Sequence, residues 1–313
     1  MNKVKVLTMA SLATIMLASC SSEVEPSETS RNLAGTPIHV NVVTNGLVES
    51  RAGYNTDEQL KNSSFGLFLT TEGTTEEAYN ANNLKYTYDE GWTSSKQLLW
   101  KNDNAQVTYY AYMPYSANAV GGDGTLKTDY QLSVDEVQTA ENILASDFLY
   151  AQEKTVTAAN SENGISVAFD HKLSQLKVNL KFGNEIEDLS ITSVKIVGGC
   201  ALSTTINLQT GEVASVTESG SSSITLAKTS EDDDKNWECL LVPQTINTLT
   251  ITIEGKTGET NRIFKYTSDA AKEFKSGYSH DLNLTIGRDK VEFANFQAIR
   301  WGETPKSEQL GTE

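Results

Sequence analysis

The chain has 313 residues and carries 25 Lys and Arg against 41 Asp and Glu, which gives a formal net charge of −16. Such an acidic chain without a basic stripe excludes nucleic acid as a partner, because nothing in it would neutralise backbone phosphates. The length exceeds the roughly 100–150 residues of a typical domain, so one large or two medium domains are expected.

The amino terminus has the pattern of an export signal that ends in a lipidated cysteine. Lys3 and Lys5 precede an apolar run from Val6 to Leu17, which is too short to span a bilayer. Small residues then stand directly before Cys20, so we predict a signal peptide over residues 1–19 and lipidation of Cys20. The alternative is an ordinary secretory signal with an accidental cysteine. Several acyl chains on one cysteine would tether the exported protein to a membrane.

Alternation of apolar and polar residues dominates the chain after a flexible linker at 20–36, which is rich in Ser, Glu, Thr and Pro. The first predicted strand, residues 37–43, would place Ile38, Val40 and Val42 on one face. The same period recurs at 65–69, 107–112, 173–180, 191–197, 249–253 and 282–286. Turn-forming residues separate the runs, at 102–104, 121–124, 210–212 and 255–258. The pattern predicts an all-β (mainly β) protein built of paired sheets packed as sandwiches.

Helical periodicity is weak. Residues 135–143 are the best short candidate for a helix, and residues 269–274 are predicted to form a single turn. A polar stretch at 158–164 precedes a new series of strands. We therefore predict an amino-terminal domain over 37–162 and a carboxyl-terminal domain over 163–313.

The chain offers little for catalysis or metal binding. His39, His171 and His280 lie far apart in sequence and have no partner at metal-ligand spacing, so zinc is not expected. Ser279 and Asp281 flank His280, but successive side chains of a strand point to opposite faces and form no hydrogen-bonded relay. No phosphate-binding glycine motif is present either. These residues predict a protein that is not an enzyme and needs no cofactor.

Two further features have competing interpretations. The acidic run 231–235 lacks the alternating oxygen ligands of a calcium loop and is predicted to be a solvated hairpin tip. Cys200 and Cys239 would form a disulfide in an exported protein or remain two buried thiols, and the sequence leaves both open.

The alternative function, glycan binding, depends on the tryptophans. They would stack on sugar rings in a surface glycan-binding lipoprotein, but scattered tryptophans are more often core residues. The four are Trp92, Trp100, Trp237 and Trp301.

A series of short phrases in fixed order resembles the fimbrillin family, the type V pilins of anaerobic Gram-negative bacteria. The phrases are Ser50-Arg51-Ala52, Phe65-Gly66-Leu67-Phe68, Gly91-Trp92, Leu99-Trp100, Tyr110-Ala111-Tyr112-Met113-Pro114-Tyr115, Asp147-Phe148-Leu149-Tyr150-Ala151, Phe169-Asp170-His171-Lys172-Leu173-Ser174-Gln175-Leu176, Leu241-Val242-Pro243-Gln244 and Gly277-Tyr278. They extend over nearly the whole exported chain.

This resemblance implies two β-sandwich-like domains, export as a lipoprotein to the outer membrane, and assembly with other fimbrial subunits into a surface fibre that supports adhesion. The subunit would be a stalk or a tip, with a lipid-retaining anchor as the alternative. An arginine-specific surface protease would cut between Arg51 and Ala52 and release the plug strand 37–43 with its lipid. Arg31 is a rival cut site that would leave this strand in place. A neighbouring copy would then donate a strand, for which we predict the segment from Val291 to Trp301.

Overall fold

The structure is a computed structural model, and it describes residues 32–44, 53–161, 164–186, 188–216 and 220–303. Strands dominate this part of the chain, so the prediction of an all-β protein is confirmed. Each sequence run with two-residue alternation lies in or overlaps a strand. The described residues contain two α-helices, α1 (Asp57–Lys61) and α2 (Ala140–Ser146). Neither they nor any other described segment makes a helix long and apolar enough to cross a bilayer.

The structure has twenty-one strands in the described residues. In chain order they are β1 His39–Thr44, β2 Ser64–Thr71, β3 Ala81–Tyr88, β4 Trp92–Ser94, β5 Val107–Met113, β6 Tyr130–Ser133, β7 Leu149–Val156, β8 Gly164–His171, β9 Ser174–Phe182, β10 Leu189–Cys200, β11 Ser203–Asn207, β12 Glu212–Val213, β13 Ser222–Thr225, β14 Ala227–Ser230, β15 Asp233–Leu241, β16 Gln244–Ile246, β17 Thr250–Thr257, β18 Thr260–Thr267, β19 Lys272–Phe274, β20 Tyr278–Ile286 and β21 Val291–Arg300.

One large sheet gathers the strands of the first half of the chain. It has seven strands in the order β1-β8-β7-β5-β2-β3-β4, so β1 and β4 form its two edges. Its apolar cluster includes Phe65, Leu67, Trp100 and Phe169. Strand β8 belongs to this sheet although it follows the domain boundary predicted at 163. That boundary itself stays a prediction.

The later strands form a four-stranded sheet, β13-β10-β17-β18, and a five-stranded sheet, β14-β15-β9-β20-β21. Both contribute to one larger apolar cluster, in which inward residues such as Val178, Ile196, Ile251 and Leu284 are buried. Alternation along each strand produces this cluster, because every second side chain faces the same way. Two small sheets complete the fold, β12-β11-β6 and β16-β19.

The helix predicted at 135–143 is wrong in its first half. Helix α2 begins only at Ala140, because the Thr139 hydroxyl caps it by accepting a hydrogen bond from the Asn142 amide at 3.2 Å. The residues before Thr139 form backbone hydrogen bonds with Thr225 instead. Tertiary pairing thus takes precedence over local helical propensity in that segment.

Two other local predictions also need correction. The turn predicted at 269–274 ends in strand β19, which pairs with β16. The turn predicted at 255–258 starts later, because β17 continues to Thr257 and pairs there with Thr260. The acidic run 231–235 lies at the tip of the β14–β15 hairpin as predicted, with the turn at Glu231 and Asp232.

Candidate functional site

Strand β1 completes one edge of the seven-stranded sheet. Val40 is 7% exposed and Val42 is half-buried, whereas Val43 on the opposite face is 47% exposed. Ile38, directly before the strand, is 2% exposed. The three residues predicted to share a face therefore do lie on the side of the strand that faces the core.

Strand β8 holds β1 through a parallel ladder of six residue pairs. Val40 lies opposite Ile165, Val42 opposite Val167, and Thr44 opposite Phe169. These three β8 residues are at most 1% exposed. Within the described residues, β8 pairs with its other neighbour β7 at only two positions, beside Leu149 and Tyr150. Most of the main-chain pairing of β8 thus depends on β1.

The chain just before β1 pairs with residues 98–100, which follow the opposite edge strand β4 along the chain. The Ile38 amide donates to the Leu98 carbonyl at 2.8 Å, and the Trp100 amide donates to the Thr36 carbonyl at 2.9 Å. Beyond these bonds the two edges separate and leave an open cleft of about 710 Å³ between β1 and β4. The half-buried Trp92 lines this cleft. Strand β1 therefore has a hydrogen-bonded neighbour on one side and a gap on the other.

Several predicted site residues lie outside the described residues: the lipidation site Cys20, the cleavage site Arg51-Ala52, and the rival Arg31. The described chain stops at Thr44, the last residue of β1, and resumes at Gly53. The predicted cleavage therefore falls in the segment 45–52 that connects β1 to the rest of the protein.

The predicted donor segment forms β21, an edge strand of the five-stranded sheet that pairs with β20. Simple alternation in the sequence would place Phe293 and Phe296 on opposite faces, but in the structure they lie opposite Leu284 and Leu282, on the same face. A bulge shifts the register, because Asn283 lies opposite Asn295 while Leu284 lies opposite Phe293. The extra residue brings both phenylalanines onto the face that β20 turns toward the core.

The histidine flanked by serine and aspartate is a buried structural residue. The His280 Nδ1 atom lies 3.1 Å from the Ser174 hydroxyl and 3.2 Å from the Gln175 carbonyl. The Ser279 hydroxyl instead donates to the Gln175 side chain at 2.7 Å. Burial lowers the pKa of His280 below its usual value, which favours the neutral ring. In the part of the chain that the structure describes, no three His, Cys, Asp or Glu side chains gather to hold a metal ion.

Cys200 and Cys239 are both buried and both free. Burial raises the pKa of Cys200 to about 12, and it raises the pKa of Cys239 well above its usual value. The structure thus places two buried thiols inside the larger apolar cluster, and the choice between free thiols and a disulfide stays a prediction.

The tryptophans are mostly core residues, as predicted. Trp100, Trp237 and Trp301 are at most 5% exposed, and Trp92 alone among the four is half-buried. A sugar-stacking platform needs exposed ring faces, and three of these rings do not provide them.

Sequence reasoning missed the residues that receive β1. The buried face of β8 is formed by Ile165, Val167 and Phe169, and their two-residue spacing can be recognised in the sequence. The pairing of β1 with β8 cannot be predicted from the sequence, because more than a hundred residues separate the two strands.

Solved structures of similar fold include two from Bacteroides. A candidate cell adhesion protein from Bacteroides uniformis aligns with a TM-score of 0.61 at 21% identity, covering 85% of this chain and 98% of that chain. A fimbrial protein from Bacteroides vulgatus aligns with a TM-score of 0.57 at 16% identity, covering 85% and 99%. At these identities the likeness establishes the fold. No curated protein matches the chain at a significant level. The family model described as fimbrillin-like matches residues 50–301, which is most of the sequence, and the chain therefore belongs to the fimbrillin-like family.

Proposed function

We propose that the protein is a structural subunit, stalk or tip, of a cell-surface fimbria, and that it is exported as a lipoprotein through Cys20. A protease cut after Arg51 would release β1, and a strand from another copy would then replace it and link the subunits. Membership of the fimbrillin-like family supports the fimbrial and cell-surface part of this proposal. The position of β1 supports the exchange.

The observation that carries the proposal is the one-sided attachment of β1. A strand at a sheet edge is held by one ladder and is the easiest strand to replace from outside. Once β1 leaves, six residues of β8 lose their ladder partners, and Ile165, Val167 and Phe169 lose the β1 side chains that lie beside them on the buried face. Exposing each such side chain costs roughly 1.5–3 kcal/mol. The vacated edge therefore favours binding of any strand that restores both the ladder and the apolar cover.

The lipid and the plug belong to the same segment of chain. Cys20 and β1 both precede Arg51, so one cut would remove the membrane anchor and open the groove together. A cut after Arg31 would remove the anchor alone. An anchor subunit would keep both, so β1 retained in fibres would indicate that role rather than stalk or tip.

The test compares three proteins made without lipid: the wild type, Arg51→Gln and Arg31→Gln. Each is treated with an arginine-specific protease and examined by electron microscopy, and the fibres are sequenced from their amino termini. We expect fibres from the wild type and from Arg31→Gln, with chains that start at Ala52, and none from Arg51→Gln. Fibres whose chains start at Asn32, or equal polymerisation of all three proteins, would refute strand exchange at this site.

A further inference from the structure

A buried polar cluster connects the chain that follows the predicted cleavage site to the end of the donor strand. We call Tyr54, Asn55, Asp147, His171 and Trp301 the Asp147 cluster. Each of the five is at most 5% exposed. They come from four separate segments: the start of the chain after residue 52, the end of α2, the end of β8, and the residue that follows β21.

Asp147 lies at the centre of the cluster. Its Oδ2 atom accepts a hydrogen bond from the Tyr54 backbone amide at 2.8 Å and lies 2.9 Å from the Nδ1 atom of His171. A carboxylate only accepts hydrogen bonds, so the Nδ1–H of His171 is the donor. Gly53 fits closely against this carboxylate, since a Cβ atom there would lie 2.2 Å from Oδ2. Its φ of +79° also favours glycine. The segment that starts at Gly53 is thus closely fitted to Asp147.

Trp301 closes the other side of the cluster. Its ring stacks flat on the His171 ring, with centroids 3.9 Å apart and an angle of 4° between the planes. Its indole N–H donates to the Asn55 side-chain oxygen at 3.3 Å. No residue of β21 itself is fully buried, whereas Trp301 is 5% exposed. The strand is therefore held by its ladder with β20, by the half-buried Phe296 against Phe274 and His280, and by one almost fully buried aromatic anchor at its end.

One atom in the Asp147 cluster makes the packing of Trp301 on His171 less favourable. The Nε2 atom of His171 is buried and has no hydrogen-bond partner among the described residues. A buried polar atom without a partner costs free energy that contact with water would restore. Removing the Trp301 ring would uncover His171 and recover that cost. The contact can thus be both specific and releasable.

We propose that Trp301 is a latch that retains β21 on its own subunit, and that the segment after the cleavage site holds this latch closed through Asn55 and Asp147. Before cleavage, that segment is joined to β1 through the backbone. After cleavage the segment has a free end, so Trp301 is released more easily and β21 becomes available to a neighbour. The role of the latch in assembly rests on the proposed function, whereas its effect on β21 is measurable in the single subunit.

The first experiment measures amide hydrogen exchange of the uncleaved protein by mass spectrometry. We expect the amides of residues 291–300 to exchange about tenfold faster in Trp301→Ala, because the strand loses its buried anchor. Trp301→Phe keeps a stacking ring and should give a smaller increase. Phe293→Ala is the matched control, since it removes a 48% exposed aromatic from the same strand without touching the cluster. Equal exchange in Trp301→Ala and Phe293→Ala, or equal acceleration of the central strand β9, would overturn the latch.

The second experiment follows fibre growth by light scattering after arginine-specific cleavage. Trp301→Ala should be cleaved at the wild-type rate but polymerise several-fold faster, with Trp301→Phe in between. Identical growth of wild type and Trp301→Ala would refute the latch and leave the proposed function intact. If the cleaved wild type forms no fibres, the proposed function fails, while faster exchange at 291–300 in Trp301→Ala would still support a latch on the strand.

Discussion

The proposed role of β1 as an internal plug predicts a large difference between two substitutions in the same strand. Val40 is 7% exposed and lies opposite Ile165, whereas Val43 is 47% exposed on the other face. In Val40→Asp, the loss of a buried valine costs about 1.5–3 kcal/mol. Burial of a carboxyl group without a partner adds about 1–3 kcal/mol. We therefore expect the free energy of unfolding to fall by about 3–5 kcal/mol, a large part of the 5–15 kcal/mol typical of folded domains.

Val43→Asp is the matched control. It introduces the same residue into the same strand, so the lower strand propensity of aspartate affects both variants. On the exposed face we expect a loss of no more than about 1 kcal/mol. Urea unfolding followed by circular dichroism measures the difference, and size-exclusion chromatography shows whether Val40→Asp self-associates as its groove opens. Equal loss in both variants, with both monomeric, would refute the plug role of the buried face.

Three further predictions concern other parts of the molecule. Gly53→Ala should lose about 3 kcal/mol of unfolding free energy in urea, whereas Gly35→Ala should lose only about 1 kcal/mol. Both glycines have positive φ, but only Gly53 has a carboxylate against the position of the added methyl group. Similar losses in the two variants would contradict the close fit of Gly53 to Asp147. Burial lowers the folded-state pKa of His280, so the unfolded chain takes up its proton first, and stability should fall as the pH drops below about 6.5. His280→Gln should lack that part of the slope in unfolding measured from about pH 7.5 to 5.5, and an unchanged slope would count against the assignment. In protein made without the lipid signal, Cys200 and Cys239 should resist a thiol reagent at neutral pH and both react in denaturant; no reaction in denaturant would indicate a disulfide.

The sequence predicted those features that depend on local pattern. Alternation such as that of Ile38, Val40 and Val42 identifies a strand and its buried face, because side-chain direction has a period of two. Helix α1 was not predicted, although Thr56 and Gln59 form a capping box in which each side chain accepts a hydrogen bond from the other's backbone amide. It was missed because a five-residue helix with one buried apolar residue has almost no periodicity.

The features that the sequence did not predict depend on contacts between distant segments. Strand β1 pairs with β8 across more than a hundred residues, and nothing in either strand specifies a parallel partner. The Asp147 cluster brings Asn55 and Trp301 together across 246 residues, so no spacing signals it. The bulge in β21 is visible in the sequence only because Phe293 and Phe296 are three residues apart, which breaks the two-residue alternation. Alternation alone cannot distinguish such a bulge from a weak strand.

That bulge gives a physical reason why the proposed exchange would favour the fibre. Strand β1 covers the groove with valines, whereas β21 would offer Phe293 and Phe296 on one face, and phenylalanine buries more apolar area. The cleft of about 710 Å³ beside β1 leaves room for the larger rings. Phe293 is already 48% exposed in the subunit, so Phe293→Ala should change the unfolding free energy of the monomer by no more than about 1 kcal/mol.

In the fibre the same substitution should be costly, because the ring would then be buried between two subunits. We expect the urea concentration at which Phe293→Ala fibres dissociate to fall clearly below that of the wild type, in line with a loss of about 2–4 kcal/mol per contact. The exposed Ile263 on β18 provides a matched control, since Ile263→Ala removes a 72% exposed apolar side chain outside the donor strand. Fibres of Phe293→Ala and Ile263→Ala that dissociate at the same urea concentration as the wild type would show that β21 is not the donated strand, because a donor that has lost one of its two groove-filling phenylalanine rings cannot bind equally well.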